Sequence, residues 1–305
     1  MEIFRSVEQV VSRPCVVALG CFDGVHTGHT DVIRRARAIS DDLCLPLCIF
    51  TFAAPPKSFF TNAPSRLVCS IEDKHSLFSS LGVDTVVSIE PSKKIFSVSA
   101  ETFITDILIK KLCAKHVVCG FNYTFGAGGK GNAELLKDVC KGYGVDVTAC
   151  PRHAHGSITV SSSAIRDAVS EGNVRLAATL LGRPFSISAE VINGQHLARK
   201  LGFPTVNVIP DTDIVLPKNG VYVTRVIADG EESYGITNVG VRPTVDTQIL
   251  CAETHIFDFD GDLYGKRITV EFLEFIRAER KFPSVEAMSE QIYADIDTAK
   301  KYLSK

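Results

Sequence analysis

Residues 20–29 read Gly20-Cys21-Phe22-Asp23-Gly24-Val25-His26-Thr27-Gly28-His29, and they stand between two segments of different character. The run before them, 14–19, is short, apolar and rich in β-branched residues, which is typical of a buried parallel strand. The segment after them, 31–40, carries its apolar residues on one face and predicts an amphipathic helix. A glycine-rich turn at such a junction directs backbone N–H groups and the positive end of the helix at an anion. The stretch therefore predicts a phosphate-binding loop.

Two histidines at the start of the predicted helix add chemistry to this loop. His26 and His29 are three residues apart, so their imidazoles point the same way. A neutral imidazole that donates a hydrogen bond, or an imidazolium, can stabilise charge that grows on a transferring phosphorus. The loop lacks the Gly-Lys-Ser/Thr sequence of the Walker type. The alternative is a tight turn whose histidines cap the helix, but two histidines, three glycines and an aspartate in ten residues favour a functional site.

Composition narrows the class of protein. With 305 residues the chain is long enough for two domains, and its net charge of −2 gives no electrostatic case for binding nucleic acid or an anionic membrane. Its ten cysteines include no Cys-x-x-Cys pair, so we expect free thiols in a reducing cytoplasm and no structural zinc. We find neither an export signal nor an apolar run of membrane-spanning length. We expect a monomer or weak oligomer that acts on small molecules.

The first half alternates between strand and helix patterns. Strands are predicted over 43–52, 84–89, 114–119 and 145–149, and helices over 70–81, 100–112 and 133–143. Such alternation predicts a parallel sheet with helices on both faces, in which ligands bind outside the carboxyl ends of the strands. The glycine-rich segment 120–131 falls at that edge, together with 20–29. A merely flexible loop is the alternative for 120–131.

A second phosphate-binding element is predicted at 161–166, which reads Ser-Ser-Ser-Ala-Ile-Arg. Three hydroxyls at a helix start, followed by an arginine, suit a polyphosphate. An ordinary helix cap with a surface arginine is the alternative. One more helix is predicted over 173–181, and Gly182 ends it.

The pattern changes near residues 181–184, where we place the boundary between domains 1–182 and 183–305. Short, largely alternating strands are predicted over 186–192, 220–228, 233–239, 252–257 and 266–276, which favours an antiparallel barrel or sandwich. Residues 284–303 predict a final helix.

Three polar residues of the second half are candidates for chemistry. Thr205 and Asn207 are two apart, so on an extended backbone they face the same side and offer oxygen ligands of the kind that Mg²⁺ takes. Glu253 lies inside an otherwise apolar strand, where a carboxylate that can accept a proton from an attacking hydroxyl is a functional candidate. The alternatives are a turn that satisfies its own backbone for Thr205 and Asn207, and an edge position facing water for Glu253.

With these residues in view, nearly the whole chain resembles the bacterial bifunctional riboflavin kinase and FMN adenylyltransferase (FAD synthetase) family. The first half matches the family through 20–29, 120–126 and 161–166. The matching segments of the second half are 201–207, 220–222, 238–244, 253–255, 263–265 and 277–282. The 20–29 motif by itself marks only a nucleotidyltransferase superfamily, whereas the second set is specific to flavokinases.

The resemblance implies a Rossmann-like nucleotidyltransferase domain followed by a six-stranded flavokinase barrel with a C-terminal helix. It implies that ATP is the co-substrate with Mg²⁺, and that riboflavin, FMN and FAD are substrates and products. His26 and His29 would stabilise the ATP phosphates in adenylyl transfer, and Glu253 would be the base acting on the riboflavin 5′-hydroxyl. Thr205 and Asn207 would hold Mg²⁺. Residues implied to bind the nucleotide are Gly20, Phe22, Asp23, Gly24, Ser162, Ser163, Arg166, Gly194, Gly202 and Pro204, and residues implied to border the flavin are Asn122, Phe125 and Arg277.

The chain departs from the family pattern at a few positions. The loop after Thr51-Phe52 reads Ala54-Pro55-Pro56 where the family often has Pro-His-Pro, and Ser163 replaces a threonine. Ala189 and Ala198 stand where glycines are usual. An extra methyl group near the phosphates can crowd them, which bears on kinase efficiency more than on kinase identity.

Two other functions stay open at this point. A transferase with another acceptor, such as a pantetheine or polyol phosphate, would share the 20–29 motif but not the flavokinase segments. A flavin-binding regulatory module with a degenerate site is the other, and the presence of Glu253, Thr205 and Asn207 argues against it.

Overall fold

A computed structural model describes residues 1–60, 66–192, 203–210, 214–243 and 248–304. The chain forms two compact units. The first comprises Met1–Leu67 with Ile71–Ser161, and the second comprises Val68–Ser70 with Ser162–Lys305. In the described part of the chain, no helix combines the length and apolar character that crossing a bilayer requires.

The first unit is built on a six-stranded parallel sheet. Its strands are β1 (Glu2–Phe4), β2 (Cys15–Leu19), β3 (Leu47–Phe52), β4 (Thr85–Ile89), β5 (Ala114–Gly120) and β6 (Asp146–Cys150). Its helices are α1 (Thr27–Asp42), α2 (Pro56–Phe60), α3 (Ile71–Ser80), α4 (Lys93–Phe96), α5 (Ala100–Thr102), a π-helical continuation (Phe103–Lys111) and α6 (Ala133–Lys141). A two-stranded hairpin, β7 (Ala154–His155) with β8 (Ile158–Thr159), follows β6. The predicted parallel sheet is confirmed.

The strand order places a crevice between two loops. The order is β1-β4-β3-β2-β5-β6. After β2, the chain adds β3 and β4 on one side of it and then adds β5 and β6 on the other side. Ligands of open α/β sheets bind at the carboxyl edge where the order reverses in this way. The segments that leave this edge from β2 and β5 are 20–29 and 120–131.

Both faces of the sheet are buried, as a parallel sheet requires. Alternate residues of β2 serve the two cores: Val17 and Leu19 pack on the side of the π-helical segment, and Val16 and Ala18 pack on the side of α1. All four side chains are at most 1% exposed. A continuous apolar run is therefore needed in β2, and the loop that follows it starts from a rigid support.

The second unit contains a closed antiparallel barrel of six strands, β9 (Phe185–Ile192), β10 (Val206–Val208), β11 (Gly220–Ala228), β12 (Glu231–Pro243), β13 (Gln248–Ile256) and β14 (Arg267–Ala278). They close in the order β10-β13-β12-β11-β14-β9. The prediction of a barrel with six strands is confirmed. The sixth strand, β10, has only three residues, too few for an alternating pattern to mark it.

A row of buried hydroxyls crosses three strands of the barrel. Thr237 on β12 lies 2.8 Å, oxygen to oxygen, from both Thr224 on β11 and Thr254 on β13. None of the three is exposed to solvent. Each hydroxyl has a partner, so the row costs little burial free energy and ties β11, β12 and β13 together.

The C-terminal helix, α9 (Val285–Leu303), packs on the outside of the barrel. Ser284 caps it by accepting a hydrogen bond from the Ala287 N–H, as the sequence predicts. Asp295 is 2% exposed and accepts from the Arg277 guanidinium, with Nη2–Oδ2 2.7 Å and Nε–Oδ1 3.0 Å. The Gln291 amide also donates to Asp295 Oδ1, at 2.7 Å. This pair joins α9 to β14.

Two helices, α7 (Ser162–Ser170) and α8 (Val174–Leu181), precede the barrel and belong to the second compact unit. Gly182 ends α8 in the left-handed conformation, with φ 74°, as the sequence predicts. In chain order, these helices come after the last strand of the first unit and before the first strand of the barrel, and the boundary between domains 1–182 and 183–305 stays a prediction.

Replacing Asp295 with Ala should lower the free energy of unfolding of the second unit by about 3 kcal/mol, because the change leaves the mostly buried Arg277 charge without its partner. Urea or thermal unfolding measures this. Asp297→Ala, at an exposed position of the same helix, is the matched control and should change stability by less than about 0.5 kcal/mol. Equal effects of the two substitutions would contradict the assignment.

Candidate active sites

The loop after β2 is tightly packed although it lies at the edge of the sheet. Phe22, Asp23 and Val25 are at most 7% exposed. Phe22 and Val25 adopt positive φ angles of 51° and 40°, which are unusual for residues with side chains and for a β-branched residue above all. Such backbone strain persists where the surroundings over-determine it, which is characteristic of binding loops.

The two histidines of the loop lie against each other, as their spacing predicts. The rings of His26 and His29 are stacked, with centroids 3.5 Å apart and planes inclined by 14°. His26 caps α1: its Nδ1 accepts a hydrogen bond from the His29 backbone N–H at 3.2 Å. Since Nδ1 accepts, neutral His26 carries its proton on Nε2, the nitrogen that can donate to a ligand. The capping alternative and the functional one are thus compatible.

His29 is held in its neutral form by its surroundings. Burial lowers the pKa of His29 well below its ordinary value, and the nearby His26 and Lys74 lower it further. Phe22 supports the ring from the side, with centroids 5.3 Å apart. Lys74 on α3 is 6% exposed and donates to the Phe52 carbonyl, at the carboxyl end of β3, at 2.8 Å. The sequence patterns did not single out Lys74.

The loop after β5 is folded rather than merely flexible. Phe125 is 7% exposed, packs 5.2 Å from Phe103 and stacks 5.7 Å from Tyr123, centroid to centroid. Gly126, at φ 73°, approaches Ala100 so closely that a Cβ would lie 2.7 Å from its backbone. Asn122 is exposed beside the end of β5. Phe125 therefore shapes the loop from within, and the predicted flavin contacts of Asn122 and Phe125 stay predictions.

An aromatic cluster lies after β3 and β4 at the same edge. Phe96 on α4 has ring centroids of Phe52, Phe59 and Phe60 at 5.5, 5.2 and 4.8 Å. Phe59 and Phe60 are 38% and 66% exposed. The sequence patterns predicted a loop at Pro55-Pro56 but did not identify this apolar surface.

The serine element lies on α7. Ser162 and Ser163 begin the helix and Arg166 follows one turn later, partly buried. These three residues belong to the second compact unit, whereas His26 and His29 belong to the first. Their predicted role on the ATP phosphates stays a prediction.

In the barrel, strand pairing brings the predicted kinase residues together. Asn207 on β10 lies directly opposite Glu253 on β13, and Glu253 in turn lies opposite Asn238 on β12. Residues opposite one another share a face of the sheet, so one amide, one carboxylate and another amide form a row. Asn207 is 2% exposed and Glu253 is partly exposed. Since β13 is paired on both sides, the edge-strand alternative for Glu253 is excluded.

The segment that leads into β10 is clamped from β13. His255 Nδ1 lies 2.9 Å from the Pro204 carbonyl oxygen, which can only accept, so Nδ1 carries the proton. Phe203 is 4% exposed and packs edge-on against His255 and Tyr293, with centroids 5.7 and 5.0 Å apart. These contacts of His255 and Phe203, the clamp, hold the backbone immediately before Thr205.

The remaining predicted residues fall in different settings. Arg277 is engaged with Asp295, and its guanidinium carbon lies 5.7 Å from the centre of the Phe282 ring. Gly194, Gly202 and Ala198 lie outside the described residues. Ala189 is fully buried in β9. The flavin role of Arg277 and the nucleotide role of Pro204 stay predictions.

The donor set of the barrel suits Mg²⁺ that shares its coordination with a substrate. Among the described residues, no group of three or more His, Cys, Asp or Glu side chains could hold a metal ion by itself. Thr205 and Asn207 offer a hydroxyl and an amide oxygen two residues apart, and Asn207 lies directly opposite Glu253. Mg²⁺ is bound in proteins by few side-chain oxygens together with waters and phosphates, so the residues present fit it.

A parallel sheet with a histidine-bearing loop, followed by a closed barrel with a carboxylate row, defines a protein with two separate nucleotide chemistries. The family model for FAD synthetase matches residues 8–164, and the one for riboflavin kinase matches residues 181–303. The chain belongs to the bifunctional riboflavin kinase/FMN adenylyltransferase family.

Individual relatives agree with this assignment over the full length. The chain is 35% identical to the bifunctional riboflavin kinase/FMN adenylyltransferase of Escherichia coli K12, over 99% of this chain and 98% of the relative. It is 38% identical to that of Pseudomonas fluorescens, over 98% and 97% of the two chains. A crystal structure described as a macrolide-efflux protein from Streptococcus pneumoniae matches with a TM-score of 0.89 and 30% identity over 98% of both chains.

The His29 imidazole should titrate well below about 6.5, the ordinary histidine value, in the folded protein. Histidine-selective NMR across a pH series measures this. The unfolded chain binds the proton more readily than the folded one, so this residue's contribution to stability should be present above pH about 6.5 and decline as the pH falls below it. Lys74→Met removes one cause of the shift and should raise the pKa of His29. A midpoint near 6.5 in the unmodified protein would contradict the described burial.

Proposed function

We propose that the chain makes FMN from riboflavin and FAD from FMN, with ATP as co-substrate of both reactions, and that it does so in the cytoplasm. The observation that carries this proposal is the presence of two distinct polar constellations, the stacked imidazoles of the first unit and the Asn207–Glu253 row of the second. The ten cysteines, all free thiols, support a reducing compartment.

In the first unit, an oxygen of the FMN phosphate attacks the α-phosphorus of ATP. The bond from that phosphorus to the bridging oxygen breaks, and pyrophosphate leaves with the electron pair. His26 donates from Nε2, neutral His29 donates one N–H, and the N-terminus of α1 adds backbone N–H groups. These groups stabilise the charge that develops on the reacting phosphate, and no covalent enzyme intermediate is required.

The flavin ring of FMN is placed by the aromatic cluster and the loop after β5. The exposed faces of Phe59 and Phe60 beside Phe96 suit a planar aromatic ring, and the exposed Asn122 suits its polar edge. Both features lie at the carboxyl edge of the sheet, as the histidine loop does.

In the barrel, the riboflavin 5′-hydroxyl attacks the γ-phosphorus of ATP and ADP leaves. Glu253 accepts the proton of the hydroxyl, and Asn238, opposite Glu253, is placed to orient the carboxylate or the substrate. Thr205 and Asn207 would hold Mg²⁺. When bound, the ion supplies charge neutralisation at the phosphates. Pro204 borders the nucleotide, and Arg277, with the segment after it, borders the flavin.

Incubation of the purified protein with riboflavin, ATP and Mg²⁺, followed by chromatographic separation of the flavins, tests the proposal. FMN should accumulate first and FAD should follow. Absence of both products from folded protein would overturn the proposed function.

Glu253→Gln should lower the rate of FMN formation by a factor on the order of 10² to 10⁴, because the amide cannot accept the proton, and should leave FAD formation from supplied FMN unchanged. His29→Ala should do the reverse. Each activity is the control for the other within the same molecule. Loss of both activities in one folded variant would contradict the division of labour between the two sites.

His255→Ala should raise the KM for ATP in FMN formation by up to about tenfold, since it removes the hydrogen bond that holds the Pro204 carbonyl. His255→Asn keeps an N–H donor at a similar distance from the backbone and should restore part of the loss. FAD formation from supplied FMN is the internal control. An unchanged KM in the alanine variant would show that the clamp has no effect on the site.

A further inference from the structure

A third histidine lies beside the nucleotide loop, and the mechanism above does not use it. His153 follows β6, so it leaves the sheet at the same carboxyl edge as the loops after β2 and β5. Its Nδ1 lies 2.5 Å from Oδ2 of Asp31, a residue near the start of α1. Side chains at this edge are candidates for ligand contact because the sheet directs ligands there.

His153 and His26 both lie close to the backbone of Gly28. A Cβ built on Gly28 would lie 3.3 Å from Cβ of His153 and 3.4 Å from the His26 ring. Both histidines therefore border the same point of the loop backbone, and a side chain at Gly28 would crowd both of them. His26, His29 and His153 form one group around the first residues of α1.

The contact with Asp31 determines which nitrogen of His153 is available. The carboxylate accepts from Nδ1–H, which leaves Nε2 as the ring nitrogen that can meet a ligand. The two side chains are 39% and 52% exposed, and an ion pair with that exposure contributes little to stability. Folding alone therefore gives a weak reason for the pair.

We infer that His153, held by Asp31, is a further nucleotide-binding residue that contacts the pyrophosphate portion of ATP in adenylyl transfer. The inference rests on the proposed function of the first unit. We assign His153 to the pyrophosphate portion because of its exposure to solvent. His26 is 6% exposed and suits the reacting phosphorus, which must be shielded from water. The His153 side chain is 39% exposed and suits a leaving group that departs into solvent. Imidazole N–H groups bind phosphate oxygens by charge-assisted hydrogen bonds.

The test compares His153→Ala with His155→Ala in the full-length chain. His155 lies two residues further along, in β7, and is exposed, so it is the matched control. For His153→Ala, the KM for ATP in FAD formation from supplied FMN and the KM for inorganic pyrophosphate in the reverse reaction should both rise about tenfold or more. The inhibition constant of AMP, which lacks the pyrophosphate portion, should stay unchanged. His155→Ala should alter none of these values.

Two further measurements separate this role from a structural one. His153→Gln keeps a neutral donor of similar reach and should lie between the unmodified protein and His153→Ala, and it carries the test if the alanine variant does not fold. FMN formation from riboflavin, a reaction of the barrel, should be unchanged in every variant.

The inference is overturned if His153→Ala keeps the unmodified KM values for ATP and pyrophosphate. It is also overturned if the inhibition constant of AMP rises as much as those values, since a uniform loss indicates a structural effect on the loop. These outcomes presuppose that the unmodified protein makes FAD. Absence of FAD formation in the unmodified protein would instead overturn the proposed function, and the inference with it.

Discussion

Strand pairing is the constraint on which both sites depend. In the sheet, the reversal of strand order between β2 and β5 sets apart two carboxyl ends, and the loops that leave them border one crevice. In the barrel, the antiparallel register of β10 and β13 brings Asn207 opposite Glu253, although the two residues are far apart in the chain. A slip of one residue in that register would turn one of the two side chains to the other face. Hydroxyl contacts such as Thr237–Thr254 help to hold the neighbouring pair of strands in place.

The histidine loop shows how a structural hydrogen bond prepares a chemical group. The His29 N–H is one of the donors at the start of α1 that the helix itself cannot satisfy, and His26 Nδ1 accepts from it. The same bond directs the proton of neutral His26 to Nε2. The cap also explains why α1 begins at Thr27, inside the motif, whereas the apolar pattern predicted a helix only from residue 31. Backbone strain at Phe22 and Val25 accompanies this arrangement, as expected where local preference yields to a binding geometry.

Much of the fold could be predicted because its long elements carry periodic patterns. Five of the six strands of the sheet and the helix α9 were predicted from apolar runs or periodic patterns, and Gly182 marked the end of α8. Strand β10 was not, since three residues hold no period, and β1 is equally short. The sequence also named Phe125 and Arg277 without indicating that one is packed in a core and the other is paired with Asp295. Burial and pairing depend on residues distant in sequence, which no local pattern contains. His153 was missed for a different reason: its position after a predicted strand was a usable signal, but nothing nearby in the sequence marks Asp31 as its partner.

The two sites use different side chains because the two acceptors arrive in different protonation states. Riboflavin presents a hydroxyl, whose proton must be removed as the new bond to phosphorus forms, so a base is needed at the point of attack, and Glu253 is the residue proposed for that role. FMN presents a phosphate oxygen that is already anionic at neutral pH, so no base is required at the point of attack. The first site therefore needs donors rather than acceptors. A neutral His29 meets this need, because burial and the nearby His26 and Lys74 disfavour its protonation while its N–H can still donate. In the proposed mechanism, a neutral histidine donor in the first site and a carboxylate in the second thus each match the charge of the acceptor that they meet.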